Sequence, residues 1–360
     1  MAMVFDNLRV AVVGPIPPPA GGMANQTKAL VDALQEEGAK PVLIAVNRPV
    51  RPNFIGRVPV VRALWRLPIY CLELVRQLRD AQIVHVLANS GLSWYLFAVP
   101  AVWIAAALRR PVIVNYRGGL AEEFFARSWR WVKPTIDMAA AVAVPSPYLQ
   151  TVFKRFGVEA IEVPNIIDLH RFANNEKRKP DGPRIIITRN LESIYGIDTA
   201  LKAFAEIRKA FPNAKLLVAG SGPKRVALET LSRELGVESN IEFLGRLDLD
   251  EIARLYAGAD LMINPSRVDN SPNSIIEAMA AKVPIVTTDA GGIPFIVEDR
   301  KHVLMVPIDD FSAMADAALY VLQDGKASYE MCNNAYDLVQ KYTWQNVRTC
   351  LNELYVGVLR

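Results

Sequence analysis

Leu261-Met262-Ile263-Asn264-Pro265-Ser266-Arg267-Val268-Asp269-Asn270-Ser271-Pro272-Asn273-Ser274-Ile275-Ile276-Glu277-Ala278-Met279-Ala280 runs from a short apolar segment through a proline-broken polar loop into a helical pattern, and Ile285 to Thr287 opens the next β-branched run. A segment apolar at consecutive positions suits a strand covered on both faces, and such strands are joined in parallel through helices. The same alternation extends in both directions. Arg9 to Val13, Pro41 to Val46, Ile83 to Leu87, Val112 to Asn115, Ala141 to Val144 and Ile161 to Val163 make one series of predicted strands. Arg184 to Thr188, Lys215 to Ala219, Ile241 to Leu244, Leu261 to Asn264, Ile285 to Thr287 and Val303 to Val306 make a second. Two series predict an α/β chain of two doubly wound, Rossmann-like parallel-sheet domains. Ligands of open sheets bind beyond the carboxyl ends of the strands, and two facing domains would enclose a deep cleft there. The seam is expected between Pro164 and Pro183, where Asn174-Asn175-Glu176-Lys177-Arg178-Lys179-Pro180-Asp181-Gly182 is polar and rich in breakers.

The 360 residues suffice for two domains, and 51% hydrophobic with 22% charged excludes a disordered or fibrous chain. Cys71, Cys332 and Cys350 are odd in number and far apart, so neither a disulfide framework nor a zinc site is encoded, which fits a reducing, cytoplasmic location. His85, His170 and His302 are too scattered for a histidine-built metal site. Met1 to Leu8 contains Asp6 and lacks the apolar core of a signal peptide. Val86 to Leu108 is uncharged over 23 residues, but Asn89, Ser90, Gly91 and Pro100 divide it into a strand end, a loop and a buried helix.

Net charge is +4 and unevenly spread. Residues 1–165 carry 18 Lys+Arg against 11 Asp+Glu (+7), leaving 23 against 26 (−3) for 166–360. Seven arginines and one acid, Glu73, fall between Arg48 and Arg79, interleaved with Phe54, Trp65, Leu67, Ile69, Tyr70 and Leu72. Such a stretch suits peripheral contact with an anionic membrane or an acidic acceptor, and equally the solvated side of a packed helix. No nucleic-acid-binding motif accompanies the charge.

Three loops that follow strands hold the informative residues. Gly14-Pro15-Ile16-Pro17-Pro18-Pro19-Ala20-Gly21-Gly22-Met23-Ala24-Asn25 is a proline arch ending in two glycines before a helix, which would let backbone N–H groups approach a phosphate or acceptor; a purely architectural turn is the alternative. Ala219-Gly220-Ser221-Gly222-Pro223 offers a GxG turn, but Arg225 stands where a dinucleotide fingerprint needs its third glycine, so a nicotinamide or flavin site is disfavoured. Asp269 and Glu277 stand eight apart across the start of a helix. Their carboxylates suit sugar and ribose hydroxyls, while Asn273, Ser274 and Ile275 at the helix start suit a diphosphate. Ser274-x-x-Glu277 also reads as a capping box, which alone would account for the glutamate.

Over essentially the whole chain the sequence resembles the retaining nucleotide-sugar glycosyltransferases of GT-B fold, glycosyltransferase family 4 (group 1). Asp269 to Glu277 is similar to that family's E-x7-E motif with Asp for the first Glu. Phe243-Leu244-Gly245-Arg246-Leu247, Tyr256-Ala257-Gly258-Ala259-Asp260, Asn264-Pro265-Ser266, Val163-Pro164-Asn165-Ile166-Ile167-Asp168 and Ala290-Gly291-Gly292-Ile293-Pro294 follow its order and spacing.

The resemblance implies an acceptor-binding domain over 1–168, a donor-binding domain over 169–342 and a C-terminal helix, 343–360, that packs back onto the first domain. It implies that Arg189 stabilises the leaving diphosphate, Glu277 binds the ribose, Asp269 contacts the sugar, Arg246-Leu247 reads the base and Gly21-Gly22 touches the phosphates. Gly222 and Arg225 join the expected donor set. One departure concerns Tyr195, since the family usually carries lysine there; Arg189 with Lys224 or Arg225 would have to compensate. Losing one such donor costs about 10² to 10³ in rate. A second is Asn115-Tyr116-Arg117-Gly118-Gly119, where a histidine is common, so Asn115, Arg117 and Glu122 or Glu123 become candidate acceptor contacts.

The implied chemistry is metal-independent and cofactor-free, with retention by front-face attack. A UDP-sugar is favoured over a GDP-sugar, and a glycan or lipid-linked hydroxyl as acceptor, as in cell-envelope or exopolysaccharide synthesis. A nucleotide-sugar epimerase would want acid and base groups that the scarcity of histidine argues against. The other rival is a non-catalytic nucleotide-sugar or glycan binding protein, motivated by Tyr195.

Overall fold

In the computed structural model, which describes residues 4–18, 21–48, 59–173 and 182–360 (for 59–65 the backbone alone), the two series of apolar runs form two six-stranded parallel sheets. The linker residues 174–181, and Arg51, Phe54 and Arg57 of the basic stretch, lie outside the described residues. The chain divides into two compact units, one running to Ile166 and taking in Trp344–Arg360, the other Ile167–Thr343.

In the first unit β1 (Arg9–Gly14), β2 (Lys40–Ala45), β3 (Ile83–Ala88), β4 (Val112–Tyr116), β5 (Ala141–Val144) and β6 (Ile161–Glu162) lie in the order β2-β1-β3-β4-β5-β6. Helices α1 (Gly22–Glu36), α2 (Pro59–Leu78), α3 (Val99–Ala107), α4 (Ala121–Ile136) and α5 (Pro147–Arg155) cover the faces. Alternate residues of a strand face opposite sides, so Ala11 and Val13 of β1 join the core beneath α2 to α5 whereas Val10 and Val12 join the core beneath α1 and the C-terminal helix. That C-terminal helix, Trp344–Leu359, buries Val347, Leu351, Leu354 and Tyr355 at helical spacing against Phe5, Leu8, Leu30 and Leu34. The uncharged Val86 to Leu108 stretch is the end of β3, a π-helical turn at Trp94–Ala98 and then α3. Among the described residues no helix is long and apolar enough to cross a membrane.

In the second unit β7 (Arg184–Thr188), β8 (Lys215–Ala219), β9 (Ile241–Gly245), β10 (Leu261–Asn264), β11 (Ile285–Thr288) and β12 (Leu304–Val306) lie in the order β12-β11-β10-β7-β8-β9. Its helices are α6 (Leu169–Phe172), α7 (Ile197–Ala210), α8 (Arg225–Glu234), α9 (Leu249–Ala257), α10 (Asn273–Ala280), α11 (Phe311–Gln323) and α12 (Gly325–Val339). Cores of Ile185, Ile187, Phe204 and Met314 on one face, and of Ile186, Met262, Ile275 and Met279 on the other, bury both sides of the sheet, as continuous apolar strands require. Winding reverses between β7 and β10. Loops leaving adjacent strands at such a switch point turn to opposite faces and open a crevice. Arg189 follows β7 and Asp269 follows β10, so both stand at that place.

Candidate functional site

The guanidinium of Arg189 forms an ion pair through Nη2 with Asp269 Oδ2, and its face lies 4.1 Å from the centre of the Tyr195 ring. Both members of the ion pair are about nine-tenths buried, and Arg189 Nε has no hydrogen-bond partner. Asp269 also accepts from Ser266 Oγ (3.1 Å) and from the Asn270 amide (3.0 Å). Burial pushes its carboxyl up, and Arg189 pulls it down. The turn that carries Tyr195 is bolted to the loop that carries Asp269 by Arg267. That side chain donates to Ser193 O (2.6 Å), Asp198 (2.8 Å) and Asp309 (2.7 Å), while its amide donates to Ile194 O (2.8 Å). Arg267 was not among the predicted site residues; its only sequence signal is an arginine inside a loop of small polar residues.

Helix α10 begins without a side-chain cap, and Pro272 occupies the N-cap position. The capping box expected from Ser274 and Glu277 does not form, because Ser274 lies one residue inside the helix, where its hydroxyl is buried and has no partner. Glu277 is therefore available for something else. Its carboxyl lies beside the Tyr256 hydroxyl, which donates to Ser274 O (2.9 Å) and bonds Thr188 Oγ1 (2.7 Å). Burial raises the Glu277 pKa to about 7, against the pull of Tyr256 and Arg189. Arg189, Asp269, Glu277, Tyr195 and Tyr256 thus share one electrostatic neighbourhood beside a helix N-terminus, an arrangement that suits an anion flanked by hydroxyl groups.

The loop after β8 supports this neighbourhood. A Cβ on Gly220 would sit 2.0 Å from Arg189 O, and one on Gly222 2.4 Å from Leu191 O, so the GxG pair lets two backbones lie in contact. Ala290-Gly291-Gly292 does the same under Asp269 and Asn270, whose carbonyl oxygens a Cβ would meet at 2.3 and 2.0 Å. Arg225 pairs with Glu229 and lies 4.6 Å from the centre of the Phe243 ring. Lys224 is exposed and makes no ion pair among the described residues. Arg246, exposed, and Leu247, half-buried, follow the edge strand β9, two strands from β7.

The predicted residues of the first unit do not converge in the same way. The proline arch is held at Ile16, whose amide donates to Asn47 Oδ1 (2.9 Å) and whose carbonyl accepts from Asn47 Nδ2 (2.6 Å). Among the described residues a Cβ on Gly21 would meet nothing within 4 Å, so their packing does not demand glycine there. Asn115 is 1% exposed, and its Nδ2 donates to His85 Nε2 (2.9 Å), while His85 Nδ1 meets the Tyr355 hydroxyl (3.1 Å). Burial brings the His85 pKa down to about 3, so the ring is neutral, and its one proton is assigned to Nδ1 because Nε2 accepts. Asn115 is thus tied into the core through Nδ2, while its buried Oδ1 has no hydrogen-bond partner among the described residues. Arg117 Nη1 donates to Asn165 Oδ1 (2.6 Å), and Glu122 pairs with Arg155 (2.6 Å) on the outside of α4. Among the described residues no cluster of three or more His, Cys, Asp or Glu could hold a metal ion.

Two family descriptions match the chain: Glycosyltransferase Family 4 over residues 20–171 and Glycosyl transferases group 1 over 182–324. An uncharacterized glycosyltransferase of Methanocaldococcus jannaschii is 33% identical over 46% of this chain and 43% of its own, so the match spans under half of that relative. A GDP-mannose-dependent alpha-mannosyltransferase of Corynebacterium glutamicum is 25% identical over 99% of this chain and 90% of its own. Among solved structures, Anabaena HepE in complex with UDP-glucose superposes with a TM-score of 0.77 at 17% identity, covering 96% of this chain and 98% of that one.

Proposed function

The chain belongs to the family 4, group 1 glycosyltransferases of GT-B fold, and on that premise we propose that it transfers a sugar from a nucleoside diphosphate sugar, with retention, to a hydroxyl of a glycan or lipid-linked acceptor in envelope or exopolysaccharide synthesis. The observation that carries the reading is the Arg189 guanidinium, stacked on Tyr195 and paired with Asp269, beside the uncapped start of α10.

Departure of a nucleoside diphosphate builds negative charge on phosphate oxygens. Arg189, the N–H groups at the start of α10 and the unpartnered Ser274 hydroxyl are fixed before that charge arrives, so they cost little reorganisation when it develops. Glu277 would take the ribose hydroxyls. Arg189, held in place by Asp269 and Tyr195, would face the phosphates, and Asp269 beside it would contact the sugar. Attack on the same face that the leaving group departs, with a phosphate oxygen taking the acceptor proton, needs no side-chain acid and no divalent ion. A UDP-sugar is favoured; the name of the Corynebacterium relative keeps a GDP-sugar in the test.

The second reading is a nucleotide-sugar binding protein without turnover, favoured by Tyr195 at the position where the resemblance leads one to expect a lysine. Incubation with UDP-glucose or GDP-mannose and candidate acceptors, with the anomeric proton of the product read by NMR, separates the possibilities. An α product from an α-linked donor supports the proposal, a β product contradicts retention, and binding without product in any mixture favours the second reading.

A further inference from the structure

We propose that the outer face of the α2, α3 and α4 layer of the first unit rests on an anionic lipid surface, an inference that goes beyond the transfer reaction and does not depend on it. These helices cover one side of the first sheet as neighbours, α2 against α3 and α3 against α4. Helix α2 buries Tyr70, Leu74 and Leu78 and turns Ile69, Leu72 and Arg76 to the opposite side, with Arg79 exposed just past its end. Leu72 is 71% exposed and Ile69 54%. On the neighbouring helices Trp103 is 46% exposed and Trp131 62%. Trp103 Nε1 donates to Thr135 Oγ1 (3.0 Å), which ties α3 to α4 one turn from Trp131.

The charges of this face point to what covers it. Arg76, Arg79, Arg127 and Arg130 make no ion pair among the described residues, and Arg130 lies 5.0 Å from the centre of the Trp131 ring. Three of the nearby acids are paired, Glu73 with Arg48 (2.8 Å), Asp137 with Lys133 (2.6 Å) and Glu122 with Arg155 (2.6 Å), which leaves Asp80 and Glu123 as exposed acids against the four arginines. Large apolar side chains left in water are unfavourable, and here they alternate with arginines that outnumber the unpaired acids beside them. A protein interface gathers its apolar residues into a core with a polar rim. Interspersed aliphatic, tryptophan and arginine side chains instead match the headgroup region, where indole rings sit at the interface and guanidinium groups meet lipid phosphates.

The test is sedimentation of the full chain with phosphatidylcholine vesicles, with and without phosphatidylglycerol, at low and high salt. We expect association with the anionic vesicles that is at least tenfold weaker on phosphatidylcholine alone, and weaker again at high salt. The paired substitutions Arg76→Glu with Arg79→Glu, and Leu72→Asp with Trp131→Ser, should each reduce it at least tenfold while leaving the unfolding temperature unchanged, because all four side chains are exposed. Three results would overturn the inference: no vesicle association, association that neither pair of substitutions alters, or a dimer in solution that Leu72→Asp dissolves, which would make the face a protein interface. Nucleotide binding by the same variants reads the donor site separately.

Discussion

The Arg189 guanidinium lies over the Tyr195 ring, 4.1 Å from carbon to ring centre. The aromatic face supplies attraction of about 0.5 to 2 kcal/mol and restricts the arginine to one plane. Tyr195 is thus a positioning residue for Arg189, and burial raises its own phenol pKa, so it stays neutral at physiological pH.

Tyr195→Phe keeps the ring and should preserve kcat within about twofold, whereas Tyr195→Leu should lower kcat by roughly tenfold with a smaller change in KM, because Arg189 loses its support. Tyr195→Lys should lower the unfolding temperature without ligand, through repulsion from Arg189, and recover it when a nucleoside diphosphate binds. Steady-state kinetics and melting curves on the three variants check this; equal kcat in Phe and Leu variants would remove the positioning role.

Two glycines separate architecture from contact. Gly222→Ala should destabilise the second unit by a few kcal/mol, because its Cβ would fall 2.4 Å from the Leu191 carbonyl, an atom that cannot move without shifting the Arg189 loop. Gly21→Ala should leave the melting temperature unchanged, since nothing among the described residues lies within 4 Å of the new Cβ. If backbone at Gly21 approaches a phosphate, donor turnover falls in that variant all the same. Unchanged turnover would return the arch to a purely architectural role.

Glu277 makes stability and binding depend on pH in opposite directions. Its folded pKa, about 7, lies above the usual value of 4.5, so the folded state holds a proton that the unfolded state has released. The stability this contributes is complete below about pH 4.5 and is lost as pH rises through 7, at most about 3 kcal/mol for a partly exposed group. Nucleotide hydroxyls donate to the ionised form, so affinity for the nucleotide should rise through pH 7. Glu277→Gln should flatten both dependences, read by chemical denaturation and calorimetry across pH 5 to 9.

Legibility in the sequence followed how local the cause was. All twelve strands lie where β-branched runs predict them, because a strand buried on both faces must be apolar at every position. The loops bearing Arg189 and Asp269 were legible from their place after strands, and the switch point between β7 and β10 explains why they meet. The capping box failed because Pro272 takes the N-cap position two residues before Ser274, which places Ser274 in the first turn, a difference that spacing alone does not reveal. Asn115 carries a longer-range tie: its partner His85 is itself bonded to Tyr355, 270 residues beyond His85, in a helix that closes the first unit. Nothing near Asn115 in sequence announces that network. Arg267 was missed for the same kind of reason, since Asp198 at the start of α7 and Asp309 in the loop before α11 are far apart in the chain.

The central claim is that Arg189 and Glu277 hold the donor nucleotide in the second unit. Its most direct test is thermal stabilisation by UDP, GDP and ADP, followed in the same samples by slow release of sugar from the matching nucleotide sugars, with Arg189→Ala and Glu277→Ala alongside. Stabilisation by one nucleotide, with sugar release that drops at least a hundredfold in Arg189→Ala and is lost in Glu277→Ala, is the predicted result. No stabilisation by any of the three, or stabilisation that both substitutions leave intact, would contradict it.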